Sequence, residues 1–254
     1  MTAAAKIASI YRYPVKGLSP EPMDRTWLAV GETLPGDRLY AIENGPSGFD
    51  PAQPRYQPKT HYLMLMRNGR LAALKTRFDA PSQTLVIARE GREAVRGDLG
   101  TAQGRSAIEQ FFAGFCADEL RGPPRLLHAP GFSFSDVARK VVSIINLTSV
   151  RALEQRIGAA VDPLRFRGNV YVTGWPAWHE LDLVGSEIAI GNARLKVVKR
   201  IVRCAATNVD PATGIRDLAI PETLLRAYGH SDCGIYAEVV RPGEIAAGDT
   251  ASSA

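Results

Sequence analysis

The sequence predicts a mixed α/β, β-rich fold that opens with a barrel-like N-terminal part. Short segments rich in apolar and β-branched residues are separated by turn sequences at the close spacing typical of a β-barrel. Only a few stretches combine helical periodicity with signals for a helix start or end. The 254 residues suffice for one large domain or two small ones with a substantial core.

The N-terminal elements begin with a half-buried strand over residues 7–13, which alternates in polarity and ends at Pro14. Residues 44–62 hold four prolines and two glycines, a composition that predicts a long surface loop and a candidate lid. Strands are then predicted over residues 62–67, 71–76 and 84–88, separated by turn sequences.

A helix is predicted to begin at Ser106, because Ser106 and Glu109 form a capping-box pattern ahead of an apolar stripe. Cys116 falls beside Phe112 and Phe115 in that helical register, which favours core packing for this cysteine. A Gly-Pro-Pro sequence at residues 122–124 then marks a boundary. It divides the chain into a predicted N-terminal domain, residues 1–122, and a C-terminal domain, residues 123–254.

The C-terminal half is predicted to contain a short helix before Gly158, capped by Thr148 or Ser149, whose free amides could hold a ligand oxygen. A strand over residues 164–173 follows, which would place three alternating polar side chains on one face. Further expectations are a hairpin turning at residues 191–192, a helix over residues 221–228 and a loose tail over residues 250–254.

Cys204 is the most informative single residue, because cations surround it in sequence. Lys199, Arg200 and Arg203 lie within five residues upstream and favour the reactive thiolate form of a cysteine. The β-branched run before Cys204 and the turn sequence after it place the thiol where a strand gives way to a loop. A buried, unreactive cysteine is the alternative at this level of evidence.

Charge and cysteine spacing limit the ligand classes. The formal net charge is +5, and basic residues gather at Arg165, Arg167, Lys196, Lys199, Arg200 and Arg203. This cluster suits an anionic, phosphate-bearing ligand. Nucleic acid is disfavoured because stacking aromatics are not interleaved and no nucleic-acid module is visible. The three cysteines are too far apart to encode a zinc or iron–sulfur site by spacing.

The sequence predicts a cytoplasmic protein without a membrane segment. It has no run of 18 apolar residues, and residues 1–6 lack the long apolar stretch of a secretory signal. A cysteine hydrolase stays open as a non-metal alternative, because such an enzyme needs a histidine to activate the thiol. Four histidines are available, although none lies in a hydrolase signature: His61, His128, His179 and His230.

Several motifs, spread from about Ile7 to Asp249, resemble one known family in content and order. The clearest is Arg203-Cys204 followed by Thr207, Val209-Asp210-Pro211 and Thr213-Gly214. The others are Tyr13-Pro14-Val15-Lys16-Gly17, Gly36-Asp37-Arg38, Phe166-Arg167-Gly168-Asn169-Val170, Trp178 with Glu180-Leu181, Gly234-Ile235-Tyr236, Pro242-Gly243 and Gly248-Asp249. Together they resemble the MOSC family, the molybdenum cofactor sulfurase C-terminal domains, preceded by the family's N-terminal β-barrel.

The resemblance implies a MOSC β-barrel domain and a molybdenum cofactor, Mo-molybdopterin, bound between the two halves of the chain. The pterin dithiolene would supply two sulfurs and Cys204 a third ligand to the metal. The implied cofactor contacts are Lys16, Arg38, Thr148, Ser149, Arg167, Asn169 and Arg203. Gly17 departs from those relatives in which a serine follows the lysine, so that hydroxyl contact is absent.

The resemblance also implies an oxidoreductase similar to the mitochondrial amidoxime reducing component and its bacterial relatives, which reduce small N-hydroxylated substrates such as amidoximes and hydroxylamines. Electrons would come from a separate flavin, heme or iron–sulfur protein, because no dinucleotide fingerprint or redox-cofactor motif is present. Asp210 is a candidate proton donor or, equally in keeping with its place before Pro211, a turn former. The alternative function is a cofactor carrier or sulfur-handling protein without turnover.

Overall fold

The computed structural model describes residues 4–253. The strands are β1 (Ala5–Arg12), β2 (Glu21–Met23), β3 (Arg25–Leu28), β4 (Tyr40–Asn44), β5 (Lys75–Asp79), β6 (Thr84–Arg89), β7 (Arg92–Asp98), β8 (Pro124–His128), β9 (Val142–Asn146), β10 (Val170–Thr173), β11 (Glu187–Ile190), β12 (Ala193–Val202), β13 (Asp232–Arg241), β14 (Gly243–Ala246) and β15 (Thr250–Ser253). The α-helices are α1 (Ala102–Phe115), α2 (Leu147–Ile157), α3 (His179–Asp182) and α4 (Ile220–Tyr228). Five 3-10 helices cover Lys59–His61, Gly69–Ala73, Ala117–Glu119, Pro163–Phe166 and Ala205–Asn208.

A closed barrel of seven strands forms the centre of the molecule and confirms the β-rich fold class. Its order is β1, β10, β9, β13, β12, β11 and β15, after which β15 pairs with β1 again. Apart from the parallel β9–β10 pair, these neighbours are antiparallel. Alternate residues point inward and form one buried apolar cluster that includes Ile7, Val170 and Ile235.

The two ends of the chain close this barrel. Lys6 pairs with Thr173 on one side of β1, and Ala5 pairs with Ala251 on the other side. The prediction of a loose tail is therefore wrong for residues 250–253, because closure supplies hydrogen-bond partners to both edges of β15. Residues 1–3 and 254, on which parts of the N-terminal and tail expectations fall, lie outside the described residues.

Elsewhere in the N-terminal half, helix α1 packs against a three-stranded antiparallel sheet of β5, β6 and β7. The contact is close at Gly104, where a Cβ atom would lie 2.0 Å from the carbonyl oxygen of Asp98. Helix α1 begins at Ala102 rather than Ser106, because the Thr101 hydroxyl accepts a hydrogen bond from the Gly104 amide (3.0 Å) and caps the helix. Cys116 is buried in the same cluster as Phe112, as predicted.

Strand pairs also cross the predicted domain boundary near residue 122. β4 pairs with β8, and β3 pairs with β14 close to the C-terminus. The division into residues 1–122 and 123–254 therefore stays a prediction. In the structure, β1 from the N-terminal half belongs to the same barrel as the C-terminal strands.

Three predicted strands, over residues 62–67, 71–76 and 164–173, are replaced wholly or in part by tighter structure. Residues 62–67 form one isolated bridge and a turn, in which the Asn68 side chain accepts from the Met64 amide (3.0 Å). Residues 69–73 then form a 3-10 helix before β5. Residues 163–166 are likewise a 3-10 helix, so that the strand predicted over residues 164–173 begins only at Val170. The hairpin at residues 191–192 and the helix ending at Gly229 form as predicted.

Candidate functional site

A cavity of about 260 Å³ lies where the N-terminal and C-terminal halves meet. Its walls come from the segment after β1, the loop before β4, the Pro-rich loop after β4 with residues 64–66, residues 135–141, residues 165–169 and the end of β12. Eight basic residues line it: Lys16, Arg38, Lys59, Arg165, Arg167, Lys199, Arg200 and Arg203. Only two carboxylates do so, Asp37 and Asp136. Such an excess of positive charge in a concave site favours an anionic ligand.

Cys204 lies on the wall of this cavity, two residues after β12 ends at Val202. Its thiol is half-buried, and its carbonyl oxygen accepts hydrogen bonds from the amide (3.0 Å) and hydroxyl (2.9 Å) of Thr207. These bonds fix the strand-to-loop turn that the sequence predicted. Cys204 therefore lines the cavity from a turn whose carbonyl oxygen is held by Thr207.

Lys59 is a site residue that the sequence analysis missed. Its ammonium lies 3.3 Å from the Cys204 sulfur and 3.7 Å from the Asp136 carboxylate. Burial alone would lower the pKa of Lys59, but the charges of Asp136 and Cys204 raise it above its ordinary value. Lys59 lies within the Pro-rich segment over residues 44–62 that the sequence predicts as a loop and candidate lid, and only the folded structure shows that this segment reaches the thiol.

Asp136 joins Lys59 to a second cation, Lys16. The Lys16 ammonium is buried, forms an ion pair with Asp136 and donates a hydrogen bond to the Phe134 carbonyl (2.9 Å). Desolvation would raise the pKa of Asp136, but Lys16 and Lys59 hold it well below the ordinary range. Asp136 was also missed, because residues 132–140 carry no periodic pattern that would assign them to a site.

Arg38 and Arg167 form one basic wall of the cavity. Arg38 pairs with Asp37 and donates to the Arg167 carbonyl (3.0 Å), while Arg167 donates to the Leu18 carbonyl (2.8 Å). One terminal nitrogen of Arg167, Nη2, is buried and has no hydrogen-bond partner among residues 4–253. Such an orphaned donor costs free energy unless a ligand satisfies it.

Three other predicted residues line the cavity but have their side chains engaged. Arg165 is held by Asp217 (2.7 Å) and Asp210 (3.2 Å). Arg203 donates to the carbonyls of Cys233 (2.7 Å) and Phe166 (2.9 Å) and so ties the Cys204 turn to two neighbouring segments.

The third, Asn169, bridges barrel strands. Its side-chain oxygen accepts from the amide (3.1 Å) and hydroxyl (2.7 Å) of Ser143, and its amide nitrogen donates to the Tyr11 carbonyl (3.2 Å). The alternation that was predicted to align Arg165, Arg167 and Asn169 does not exist, because Arg167 adopts a left-handed backbone conformation after the 3-10 helix.

The structure places Thr148 and Ser149 outside the cavity, which corrects the sequence expectation. Asn146, not either of these residues, caps α2 by accepting from the Thr148 amide (3.1 Å). The Ser149 hydroxyl donates to Glu180 (2.8 Å) and accepts from the Trp178 amide (2.8 Å), so it is fully used inside the protein.

Asp210 also lies outside the cavity and acts as a turn former. One carboxylate oxygen accepts from the amides of Ala212 (2.9 Å) and Thr213 (2.7 Å), and the other pairs with Arg165. Desolvation would raise the pKa of Asp210, but the hydrogen bonds from Thr213 and Ala212 lower it below its ordinary value. This arrangement disfavours the proton-donor role.

The positions of the other cysteines and of the histidines argue against two alternatives, a cysteine hydrolase and a site for a bare metal ion. Cys116 and Cys233 are buried, and burial raises the pKa of each thiol to about 12. No histidine lines the cavity within residues 4–253, so the activating base of a cysteine hydrolase is missing beside Cys204. No group of three or more His, Cys, Asp or Glu side chains in the described part of the chain could hold a bare metal ion.

A second cavity of about 270 Å³ shares Leu65, Arg165 and Arg167 with the first. Its remaining lining is mostly apolar and includes Leu18, Ala72 and Leu164.

Between residues 4 and 253, no helix is long and apolar enough to cross a bilayer.

We expect Asp136 to make the protein sensitive to acid. The folded pKa of Asp136 lies well below its unfolded value, so its contribution to stability is complete above the unfolded pKa, about 3.9, and is lost as the pH falls from there through the folded pKa. Asp136→Asn should therefore melt below wild type at neutral pH, and the difference between the two melting temperatures should shrink steadily as the pH falls below about 4. A constant difference across this range would contradict the assignment, and Asp118→Asn, at an exposed site, is the matched control.

Comparison with known proteins gives two family matches that together cover nearly the whole chain. The MOSC domain matches residues 129–252, and the MOSC N-terminal beta barrel domain matches residues 4–117. The mitochondrial amidoxime reducing component 2 of Bos taurus is 32% identical over 120 residues, which are 42% of this chain and 35% of the bovine protein. The mitochondrial amidoxime-reducing component 1 of Homo sapiens is 30% identical over 118 residues, 42% of this chain and 34% of the human protein.

These matches span about a third of the length of the curated relatives. Among solved structures, the YUAD protein from Bacillus subtilis aligns over 100% of this chain and 97% of its own, with 16% identity and a TM-score of 0.45.

Proposed function

The chain belongs to the MOSC domain family, with the MOSC N-terminal barrel domain ahead of it, and from this membership we propose a molybdenum-cofactor-dependent oxidoreductase for N-hydroxylated compounds. The observation that carries the proposal is the half-buried Cys204 thiol on the wall of a cavity lined by eight cations. A thiolate donor beside an anion cradle suits a soft, redox-active metal that arrives on its own phosphorylated organic ligand.

The residues present fit that cofactor. Arg167 offers a buried nitrogen without a partner, and Lys16 and Arg38 complete a basic surface for a phosphate group. Cys204 would be the protein's ligand to the metal. The described residues contain no cluster of three or more His, Cys, Asp or Glu side chains, so the cofactor would have to supply the other ligands of the metal. The chemistry that a bound molybdenum cofactor supplies is two-electron redox change at the metal.

The side chains around the Cys204 thiol favour its proposed role as a metal ligand. The Lys59 ammonium, 3.3 Å from the sulfur, compensates the negative charge of a thiolate. Thr207 holds the Cys204 carbonyl, and Arg203 ties the same turn to Phe166 and Cys233. The Cys204 sulfur is thus held in place before any ligand binds, which reduces the conformational cost of binding.

The proposed reaction takes two electrons and two protons. An amidoxime would lose its N–O bond and give the amidine and one water molecule, and a hydroxylamine would give the amine and water. The relatives that match this chain are named amidoxime reducing components, and this likeness supports the substrate class.

Reduction of benzamidoxime by cofactor-loaded protein, with an artificial low-potential electron donor, tests the proposed activity. Formation of benzamidine that depends on molybdenum is the expected result. Molybdenum and pterin bound at full occupancy without any benzamidine would contradict the reductase and favour the alternative, a cofactor carrier or sulfur-handling protein.

We expect the protein to be inactive with a reduced nicotinamide cofactor alone and to become active when a separate electron-transfer chain is added. The sequence carries no dinucleotide-binding fingerprint and no cysteine cluster for an iron–sulfur centre. Stopped-flow reduction of the loaded protein by reduced nicotinamide, with and without a flavin, heme or iron–sulfur reductase, measures this. Rapid reduction by nicotinamide alone would contradict the proposed electron path.

Salt should slow reduction by an acidic donor, because Lys199 and Arg200 lie at the cavity rim and Lys199 is exposed. A Lys199→Ala, Arg200→Ala double variant should lose much of this salt dependence. Arg92→Ala, an exposed cation on β7 far along the chain from the cavity, is the control that should keep it.

A further inference from the structure

Tyr13 is completely buried and contacts two of the cations that line the cavity, although it does not line the cavity itself. The guanidinium carbon of Arg167 lies 4.2 Å from the centre of the Tyr13 ring, and that of Arg38 lies 4.7 Å from it. One aromatic ring therefore attracts two guanidinium groups through the negative potential of its π face.

The backbone around Tyr13 holds the same groups in register. The Tyr13 amide donates to the Asp37 carboxylate (2.9 Å), and the Tyr13 carbonyl accepts from the Arg38 amide (2.7 Å). Asp37 also pairs with the Arg38 guanidinium. Tyr13, Asp37 and Arg38 thus form one connected unit, which the Arg38 side chain joins to Arg167 through the Arg167 carbonyl (3.0 Å).

Both arginines have strained backbones. Arg38 has φ 52° and Arg167 has φ 50°, a left-handed conformation that non-glycine residues seldom adopt. Such conformations persist where the surrounding structure over-determines them, and they concentrate at binding sites. Here the strain brings two guanidinium groups to one ring from segments that are 129 positions apart in sequence.

The two positive charges of Arg38 and Arg167 exceed the one negative charge of Asp37. Asp37 pairs with Arg38, but no carboxylate forms an ion pair with Arg167 among the described residues, and Arg167 Nη2 has no hydrogen-bond partner. Burial lowers the pKa of Arg167, and the charge of Arg38 lowers it further. A bound anion would relieve both the repulsion and the orphaned donor.

We propose that Tyr13 is a positioning residue that fixes the spacing of Arg38 and Arg167, so that the two guanidinium groups act as a clamp for a single tetrahedral anion of the phosphomonoester class. Tyr13 acts through the two arginines and does not touch the anion. The role rests on the proposed function only in so far as the anion is the phosphate of the cofactor.

Substitutions at position 13 test the effects of the π face, the hydroxyl and the volume of the Tyr13 side chain one at a time. Tyr13→Phe keeps the π face, whereas Tyr13→Leu removes it. Pentafluorophenylalanine introduced at position 13 keeps the shape of the ring and removes its negative π potential, so it serves even where Tyr13→Leu does not fold. Tyr40→Leu is the matched control, because Tyr40 is also buried and packs in a separate apolar cluster.

Affinity for inorganic phosphate, measured on the full-length cofactor-free protein as the rise in melting temperature at constant ionic strength, tests the role. Tyr13→Phe should bind phosphate within about twofold of wild type, and Tyr13→Leu and the fluorinated variant about tenfold more weakly, the effect of losing a desolvated cation–π contact. Tyr40→Leu should melt at a lower temperature and keep wild-type affinity for phosphate.

Unchanged phosphate affinity in the fluorinated variant would overturn the positioning role, as would an equal loss in Tyr40→Leu or Tyr13→Phe. A wild-type protein that does not respond to phosphate would overturn the clamp itself. A wild-type protein that binds phosphate but takes up no molybdenum would contradict the proposed function and leave the role of Tyr13 in place.

Discussion

Replacing Cys204 with serine is expected to abolish molybdenum-dependent activity and to lower molybdenum retention by at least about 100-fold, since even the loss of a group that supports a metal ligand costs roughly 10–100-fold in metal affinity. A serine hydroxyl is harder and stays protonated near neutral pH, so it cannot replace a thiolate donor to this metal. The fold should persist, because Cys204 is half-buried and lies outside the apolar clusters. Metal analysis after gel filtration measures the loss.

Cys116→Ser is the matched control for this variant. Cys116 is buried against Phe112 in the N-terminal cluster, so its replacement should lower the melting temperature and leave molybdenum content unchanged. Wild-type activity in Cys204→Ser would remove Cys204 as the ligand. Equal metal loss in Cys116→Ser would show that the metal is lost through general destabilisation.

Removing Arg38 and Arg167 together is expected to strip the cofactor from the protein during dialysis. Each guanidinium offers charge-assisted hydrogen bonds worth roughly 1.5–3 kcal/mol, or one to two decades in affinity. The double variant Arg38→Ala, Arg167→Ala should therefore lose about two to four decades in cofactor affinity. Pterin fluorescence of the dialysed protein is the measurement.

Arg167→Lys tests geometry apart from charge. Lysine keeps the charge but cannot present two parallel donors to one phosphate, so cofactor retention should fall although the net charge is unchanged. Arg92→Ala with Arg226→Ala removes two exposed cations elsewhere and should leave retention at the wild-type level. Full cofactor occupancy in the double cavity variant would contradict the placement of the phosphate.

Much of the fold follows from local sequence patterns. The strand before Pro14, the hairpin at residues 191–192 and the helices that end at Gly158 and Gly229 carry strong start and stop signals, and the structure has all of them. The capping-box pattern predicts the start of α1 at Ser106, four residues late, because Thr101, the residue that caps the helix, is followed three positions later by Gly104 and not by Glu or Gln.

Barrel closure could not be predicted from local patterns. β15 is short and its sequence is small and polar, so it resembled a loose tail, yet it closes the barrel between β1 and β11. The N-terminal location of β1 gave no sign that it pairs with β10, 160 or more positions away. Such pairings depend on which edges remain open after the rest of the barrel has formed.

The sequence predicts only some of the residues that line the cavity. Lys16, Arg38, Arg167, Asn169, Arg203 and Cys204 all line the cavity. Thr148, Ser149 and Asp210 do not line it. The Thr148 amide donates to the Asn146 cap of α2, the Ser149 hydroxyl donates to Glu180, and the Asp210 carboxylate accepts from the Thr213 amide in a tight turn. Lys59 and Asp136 lie in irregular segments, where neither periodicity nor motif spacing reports which side chains meet in space.

The molybdenum and pterin content of wild-type protein, purified from a host that makes the cofactor, tests the central claim most directly. One molybdenum and one pterin per chain are predicted, both released together when Cys204 and the arginine clamp are removed. Protein that is fully folded but carries neither molybdenum nor pterin after purification from such a host would contradict the claim that this cavity holds the molybdenum cofactor.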